Sequence, residues 1–214
     1  MLQCLIMTAT GFLSGSVMFS YYIPKWFFGV DVRKNAGDHN PGSTNAIHSA
    51  GPVVGILCMA LDVLKGFIPI FVAVDMMNIS GAYLVPVIAA PCLGHAFSPF
   101  LGFHGGKAVA VSYGTLLGLL GISRAVFLVA LTMAVFKFIL VIRPDSAKTI
   151  ASFAISGVGV LLFEPLPEVK IAVCIIGCVV CFKHFLYPDK GGVSVSVWHY
   201  SVAYEDYKIK FRRV

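Results

Sequence analysis

Seven apolar runs dominate this chain, near residues 2–24, 53–75, 81–101, 107–121, 124–142, 149–164 and 169–187. A helix needs roughly 20 such residues to cross about 30 Å of hydrocarbon. The runs therefore predict an all-α integral membrane protein, a bundle of about seven transmembrane helices. Composition agrees: 58% of the residues are apolar and 12% are charged, against about 45–50% and about 25% in ordinary soluble domains. A mean hydropathy of +0.87 leaves too little polar surface to cover a water-exposed body. Disorder, collagen and a basic nucleic-acid-binding domain are excluded on the same ground. The fourth run is short and holds Gly114, Gly118 and Gly121, so it is expected to tilt little or to begin inside the membrane. The N-terminus has no basic n-region and no A-x-A site, so the first run is expected to be a retained span. Cys4, Cys58, Cys92, Cys174, Cys178 and Cys181 all sit in apolar runs and read as small packing residues.

The basic residues orient the bundle. Lys25, Arg33, Lys34, Lys107, Arg143, Lys148 and the six after residue 182 (Lys183, Lys190, Lys208, Lys210, Arg212, Arg213) fall on one set of alternate segments, twelve in all. The opposite segments hold two, Arg124 and Lys170. Positive charge collects on the cytoplasmic side. The C-terminus is thus expected in the cytoplasm and, with seven spans, the N-terminus outside. This places the net charge of +6 at a membrane face. Two lysines remain within spans. Lys65 stands three residues after Asp62 and can pair with it on one helix face. Lys137 lies close enough to the end of its span to snorkel. Residues 1–190 read as the membrane domain and 191–214 as a cytoplasmic tail. There Val193, Val195 and Val197, then Tyr207, Ile209 and Phe211, alternate with polar residues as a short strand or interfacial segment would.

Polar chemistry gathers on the same face. The loop at about 25–51 is long for a connector. Its stretch Gly37-Asp-His-Asn40-Pro-Gly42-Ser43-Thr44-Asn45 offers small residues, hydroxyls and amides that can converge on an anion. By composition alone it is equally a solvated, turn-rich linker. Gly105-Gly106-Lys107 opens the fourth span, where glycines, a helix start and a lysine suit a phosphate. It is not a Walker A loop, and a lysine at a membrane boundary is also ordinary topology. Arg143-Pro-Asp-Ser146-Ala-Lys148 and Lys183-His184 through Asp189 complete the face. His39, His48, His104 and His199 read as interfacial polar residues, and His95 as a helix cap or a bond across the bundle. No pair has metal-ligand spacing on one helix, so no metal is assigned. His184 and Asp189 form an H-x4-D, a spacing that chance supplies readily in such a chain; it carries no assignment.

These residues resemble the bacterial membrane acyl-phosphate:glycerol-3-phosphate acyltransferases, the PlsY family. Gly37 to Asn45 is similar to the family's G-S-G-N-x-G-A-T-N, and Leu61-Asp-Val-Leu-Lys-Gly66 to its L-D-x-L-K-G. Gly94-His-Ala-Phe97 through Gly106-Lys107 resembles G-H-x-F-P-x-F-x-x-F-x-G-G-K-G. The resemblance implies seven spans with an external N-terminus in the cell membrane, and an active face in the cytoplasm. It implies acyl transfer from acyl phosphate to the sn-1 hydroxyl of glycerol 3-phosphate, making lysophosphatidic acid for phospholipid synthesis, with no metal or other cofactor. It implies Lys107 and His184 as catalytic residues. Asn40, Gly42, Ser43, Thr44, Asn45, Gly105, Gly106 and Ser146 are implied to bind substrate. The partners would be the two substrates and the bilayer, with no nucleic acid.

The sequence also departs from that pattern. Asp38 stands in place of the first-motif serine, His39 of its glycine and His48 of the closing arginine. Ala108 replaces the last glycine of G-G-K-G, and His184-Phe-Leu-Tyr187 replaces H-R-E-N. The rival readings are a non-catalytic paralogue binding lipid or headgroup phosphates and a small transporter using Asp62 and Lys65.

Overall fold

The computed structural model describes the backbone of residues 1–189, 191–197, 200–205 and 208–213, and the side chains of residues 1–189 and 191–197. Helices α1 (Leu2–Ser16) and α2 (Phe19–Phe28) meet at a 43° bend. Two short helices, α3 (Val32–Asn35) and α4 (Ser43–Ala50), follow within what the sequence showed as one long loop. Gly51 and Pro52 end α4 and open α5 (Pro52–Phe71), because proline suits a first helical position and bars helix from the residue before it. Next come α6 (Leu84–Ala96), the nine-residue α7 (Val109–Leu117) and α8 (Ala125–Ala134). Strand β1 (Leu140–Arg143) leads into α9 (Asp145–Phe163), and α10 (Pro167–Leu186) closes the helical body.

Among the described residues, four helical stretches are long and apolar enough to cross a membrane alone: Pro52–Met76, Gly81–Leu101, Asp145–Phe163 and Pro167–Leu186. The bent pair α1–α2 makes a fifth if it is one span. Helices α7 and α8 occupy the remaining two apolar runs but are shorter. Leu5, Leu13, Val53, Phe127, Leu131 and Phe163 are all more than half exposed, as residues facing lipid are. The chain is therefore a mostly helical, multi-pass membrane protein.

Two crossings fix the bundle. Helix α1 packs on α6 and α5 packs on α7. A Cβ on Gly15 would run into the Pro91 carbonyl, and one on Gly94 into that of Phe12. Gly66 and Gly114 stand likewise against the Val111 and Val63 carbonyls. In lipid, helices associate through such close backbone packing rather than hydrophobic expulsion from water.

The bend at Val17–Met18 frees carbonyls that lipid cannot satisfy. Lys65 Nζ donates to the Val17 oxygen at 2.5 Å and Ser98 Oγ to the Ser16 oxygen at 2.6 Å. Lys65 also pairs with Asp62 at 2.7 Å, and Ser20 Oγ donates to the other Asp62 oxygen at 2.7 Å. The anticipated Asp62–Lys65 pair is thus a strut between α5 and the break in the first span.

The all-α expectation needs one correction. Strands β2 (Ser194–Val197), β3 (Tyr200–Glu205) and β4 (Lys208–Arg213) extend β1 into a four-stranded antiparallel sheet, ordered β1-β2-β3-β4. Leu140 lies opposite Val197, and Arg143 opposite Ser194. Period-two alternation favours extended chain, and the β-branched Val141 and Ile142 supply a matching edge. The run at 124–142 accordingly stops being helical after Ile139. His199 and Tyr207 lie outside the described residues.

Candidate active site

A cavity of about 290 Å³ lies where the start of α4, the segment before α7, the first turn of α9 and the end of α10 meet. Lys107 sits on its wall, 9% exposed, in non-helical chain two residues before α7. The glycines before it are tightly held. Gly106 N–H donates to the His95 carbonyl at 3.1 Å, and a Cβ on Gly105 would strike that same oxygen. This hairpin-like return sets Lys107 facing the α4 loop. The sequence placed Lys107 at the opening of the helix; Ala108, in the left-handed region at φ 62°, delays that opening by two residues.

Lys107 Nζ pairs with two carboxylates, Asp38 at 2.8 Å and Asp189 at 3.2 Å. Each carboxylate collects further donors. Asp38 Oδ1 accepts from Asn45 Nδ2 at 2.8 Å and from the Asn40 N–H at 3.2 Å. Burial works to raise the Asp38 carboxyl, but the bonds from Lys107, the Asn40 N–H and Asn45 outweigh it and hold it below the usual carboxylate range. Asp189 Oδ2 accepts the Ser146 N–H at 2.7 Å, at the first turn of α9, where the helix dipole favours negative charge. In return the Asp189 N–H donates to Ser146 Oγ at 3.3 Å.

His184 lines the same cavity from the last turn of α10. Its Nδ1 bonds the Val180 carbonyl at 2.9 Å. A carbonyl only accepts, so Nδ1 carries the proton and Nε2 of the neutral ring keeps a free lone pair. His95 neither caps nor bridges as expected. It lines the cavity, 4% exposed, with Gly106 packed against the Nε2 edge of its ring, and its Nδ1 has no hydrogen-bond partner among the described residues. Among the described residues no group of three or more His, Cys, Asp or Glu is placed to hold a metal ion.

The expected site residues divide. Asn40, Gly42, Ser43, Thr44, Asn45, Lys107 and His184 line one cavity, although they come from three separate blocks. Gly105 lines instead a neighbouring cavity of about 530 Å³, with Arg33, Lys34, His39, His104 and Tyr187. Gly106 and Ser146 line neither cavity; Gly106 is taken up by His95, and Ser146 reaches the site through its N–H on Asp189. The sequence reading missed Asp189, whose spacing from His184 looked accidental, together with Tyr113, Lys137, Lys148 and Thr149 on the cavity wall. The basic Lys148 beside Ser146 was the available signal.

The family model described as glycerol-3-phosphate acyltransferase matches residues 5–186. The glycerol-3-phosphate acyltransferase of Aquifex aeolicus (strain VF5) is 33% identical over 189 residues, covering 86% of this chain and 92% of that protein. That of Thermotoga petrophila (strain ATCC BAA-488 / DSM 13995 / JCM 10881 / RKU-1) is 49% identical over 104 residues, 49% of this chain and 52% of the relative. In that stronger match the chain spans about half the relative's length. A crystal structure of PlsY, an integral membrane glycerol 3-phosphate acyltransferase, in its glycerol 3-phosphate form, superposes with a TM-score of 0.74 at 28% identity. The superposition covers 85% of this chain and 88% of that one. Its lysophosphatidic acid form gives 0.72 at the same identity, over 85% and 87%.

Proposed function

The chain belongs to the glycerol-3-phosphate acyltransferase family, and from that premise we propose that it transfers a fatty acyl group from acyl phosphate to glycerol 3-phosphate. The sn-1 hydroxyl oxygen attacks the acyl carbonyl carbon. The bond from that carbon to the phosphate oxygen breaks, and inorganic phosphate leaves with the electron pair. The hydroxyl proton passes to a phosphate oxygen of the substrates, and the product is lysophosphatidic acid for phospholipid synthesis.

One observation carries the reading: four donors from three parts of the chain (Lys107 Nζ, Asn45 Nδ2, Asn40 N–H and Ser146 N–H) already grip anionic oxygens at a single site. Phosphates offer the same kind of oxygen. Lys107, fixed before the reaction begins, stabilises charge as it develops on the carbonyl oxygen and the leaving phosphate. His184 Nε2 accepts a hydrogen bond from the acceptor hydroxyl and orients it. Gly42, Ser43 and Thr44 at the start of α4 line the phosphate site, while Gly105 and Gly106 set the position of Lys107 and the Ser146 N–H holds Asp189 beside it. The test is an assay of the purified protein with acyl phosphate and glycerol 3-phosphate. Labelled lysophosphatidic acid is expected. No product, beside an active relative assayed in parallel, overturns the reading in favour of a binding paralogue.

The same proposal takes residues 1–190 as the membrane domain of seven spans and 191–214 as its tail. The N-terminus is outside and the active face cytoplasmic at the cell membrane. Support comes from the twelve basic residues on one set of alternate segments. Protease protection of terminal tags in sealed, right-side-out vesicles should cleave the N-terminal tag only; cleavage of the C-terminal tag would reverse the orientation.

A further inference from the structure

The donors that would receive a substrate phosphate are already occupied by a side chain of the protein itself. Asp38 Oδ2 takes Lys107 at 2.8 Å, while Oδ1 takes both Asn45 Nδ2 and the Asn40 N–H. Asn45 Nδ2 is further pinned by the Asn40 carbonyl at 2.8 Å, so the cradle is rigid with the carboxylate inside it. The Asp38 side chain is 11% exposed and sits on the cavity wall rather than behind it. A carboxylate presents oxygens as a phosphate does, with one negative charge in place of about two. Serine, the residue of the resembling motif at this position, has no charge and reaches less far.

We propose that Asp38 is a specificity-determining residue: its carboxylate fills the cavity's phosphate donors, and a substrate phosphate binds by displacing it. The inference rests on the acyltransferase reading and deepens it. Displacement asks only the Asp38 side chain to move: Asn45 is fixed in α4, while Asp38 lies in the loop before it, next to Gly37, which has open space around it. Once displaced, Lys107 remains held by Asp189 and keeps its place. Substrate affinity is then a difference between two anions competing for one set of donors. Acceptors or donors with a less charged group pay a smaller repulsive cost from Asp38. Two substrates of the proposed reaction carry a phosphate, so the shared chemistry is a terminal phosphate group, and kinetics decides which substrate brings it.

The experiment compares the full chain with Asp38→Ser and Asp38→Asn, varying glycerol 3-phosphate at fixed acyl phosphate and then the reverse. The KM of the substrate whose phosphate enters the cradle is expected to fall about tenfold or more in both variants, since charge-assisted bonds are freed for it. The KM of the other substrate is expected not to fall. Unchanged or raised KM values for both substrates overturn the inference. So does loss of kcat at saturating substrate, which would make Asp38 a catalytic base. Equilibrium binding of glycerol 3-phosphate and of inorganic phosphate to the same three proteins is read separately from turnover. Tighter binding by the variants supports the role of Asp38 even if no product forms and the acyltransferase reading fails; equal binding in every arm overturns it.

Discussion

Lys107 holds two acids in place while being held by them. Removing it leaves Asp38 and Asp189 near each other with no shared cation. Lys107→Ala is expected to lower kcat by about 100-fold or more, as loss of a preorganised charge does; retained activity in the assay would remove Lys107 from the chemistry. Asp38 adds a pH signature. Its folded carboxyl lies below the usual range, so its ion pair contributes stability above the unfolded pKa of about 4. That contribution is lost as pH falls through the folded value. In detergent, the melting-temperature gap between the native protein and Asp38→Asn should be constant from neutral pH to about 5 and narrow on further acidification. The sequence showed Asp38 only as an acid in a phosphate-friendly loop. That it fills the cradle depends on a chain reversal at Gly105–Gly106 which no local pattern encodes.

Among the elements, the broken first span and the glycine crossings set the frame. Lys65 is 5% exposed and Asp62 1%. Lys65→Met would strand the Asp62 charge and free the Val17 carbonyl, a loss of about 3–5 kcal/mol. Adding Asp62→Asn should recover much of it, since the two residues act as one unit. Unfolding of the purified single and double variants checks both numbers. At the α5–α7 crossing, Gly114→Val drives a branched side chain into the Val63 carbonyl and should cost at least about 1–3 kcal/mol. Gly157 in α9 has nothing within 4 Å of an added Cβ, so Gly157→Ala should be neutral or gain about 0.5–1 kcal/mol. The Asp62–Lys65 spacing was legible as a pair on one face. Its use as a brace across the α1–α2 bend was not, because the bend has no proline at Val17–Met18 to announce it.

At the scale of the molecule, membrane residence and the family were readable from the chain alone. Apolar runs of spanning length can satisfy their backbone in lipid only as helices, and the three ordered blocks carried the resemblance. The sequence alone also placed the polar loops on one set of alternate segments, because charge asymmetry is a property of segment order. Tertiary structure decided what those loops do together. It shortened α7, ended the fifth apolar run in a strand that pairs with Ser194–Val197, and brought Asp189 to the first turn of α9. Each outcome depends on contacts between residues far apart in the chain, such as Lys107 with Asp189. Hydrophobic period and length determine which segments enter the membrane; which polar groups meet at its surface follows from how the glycine crossings stack those segments.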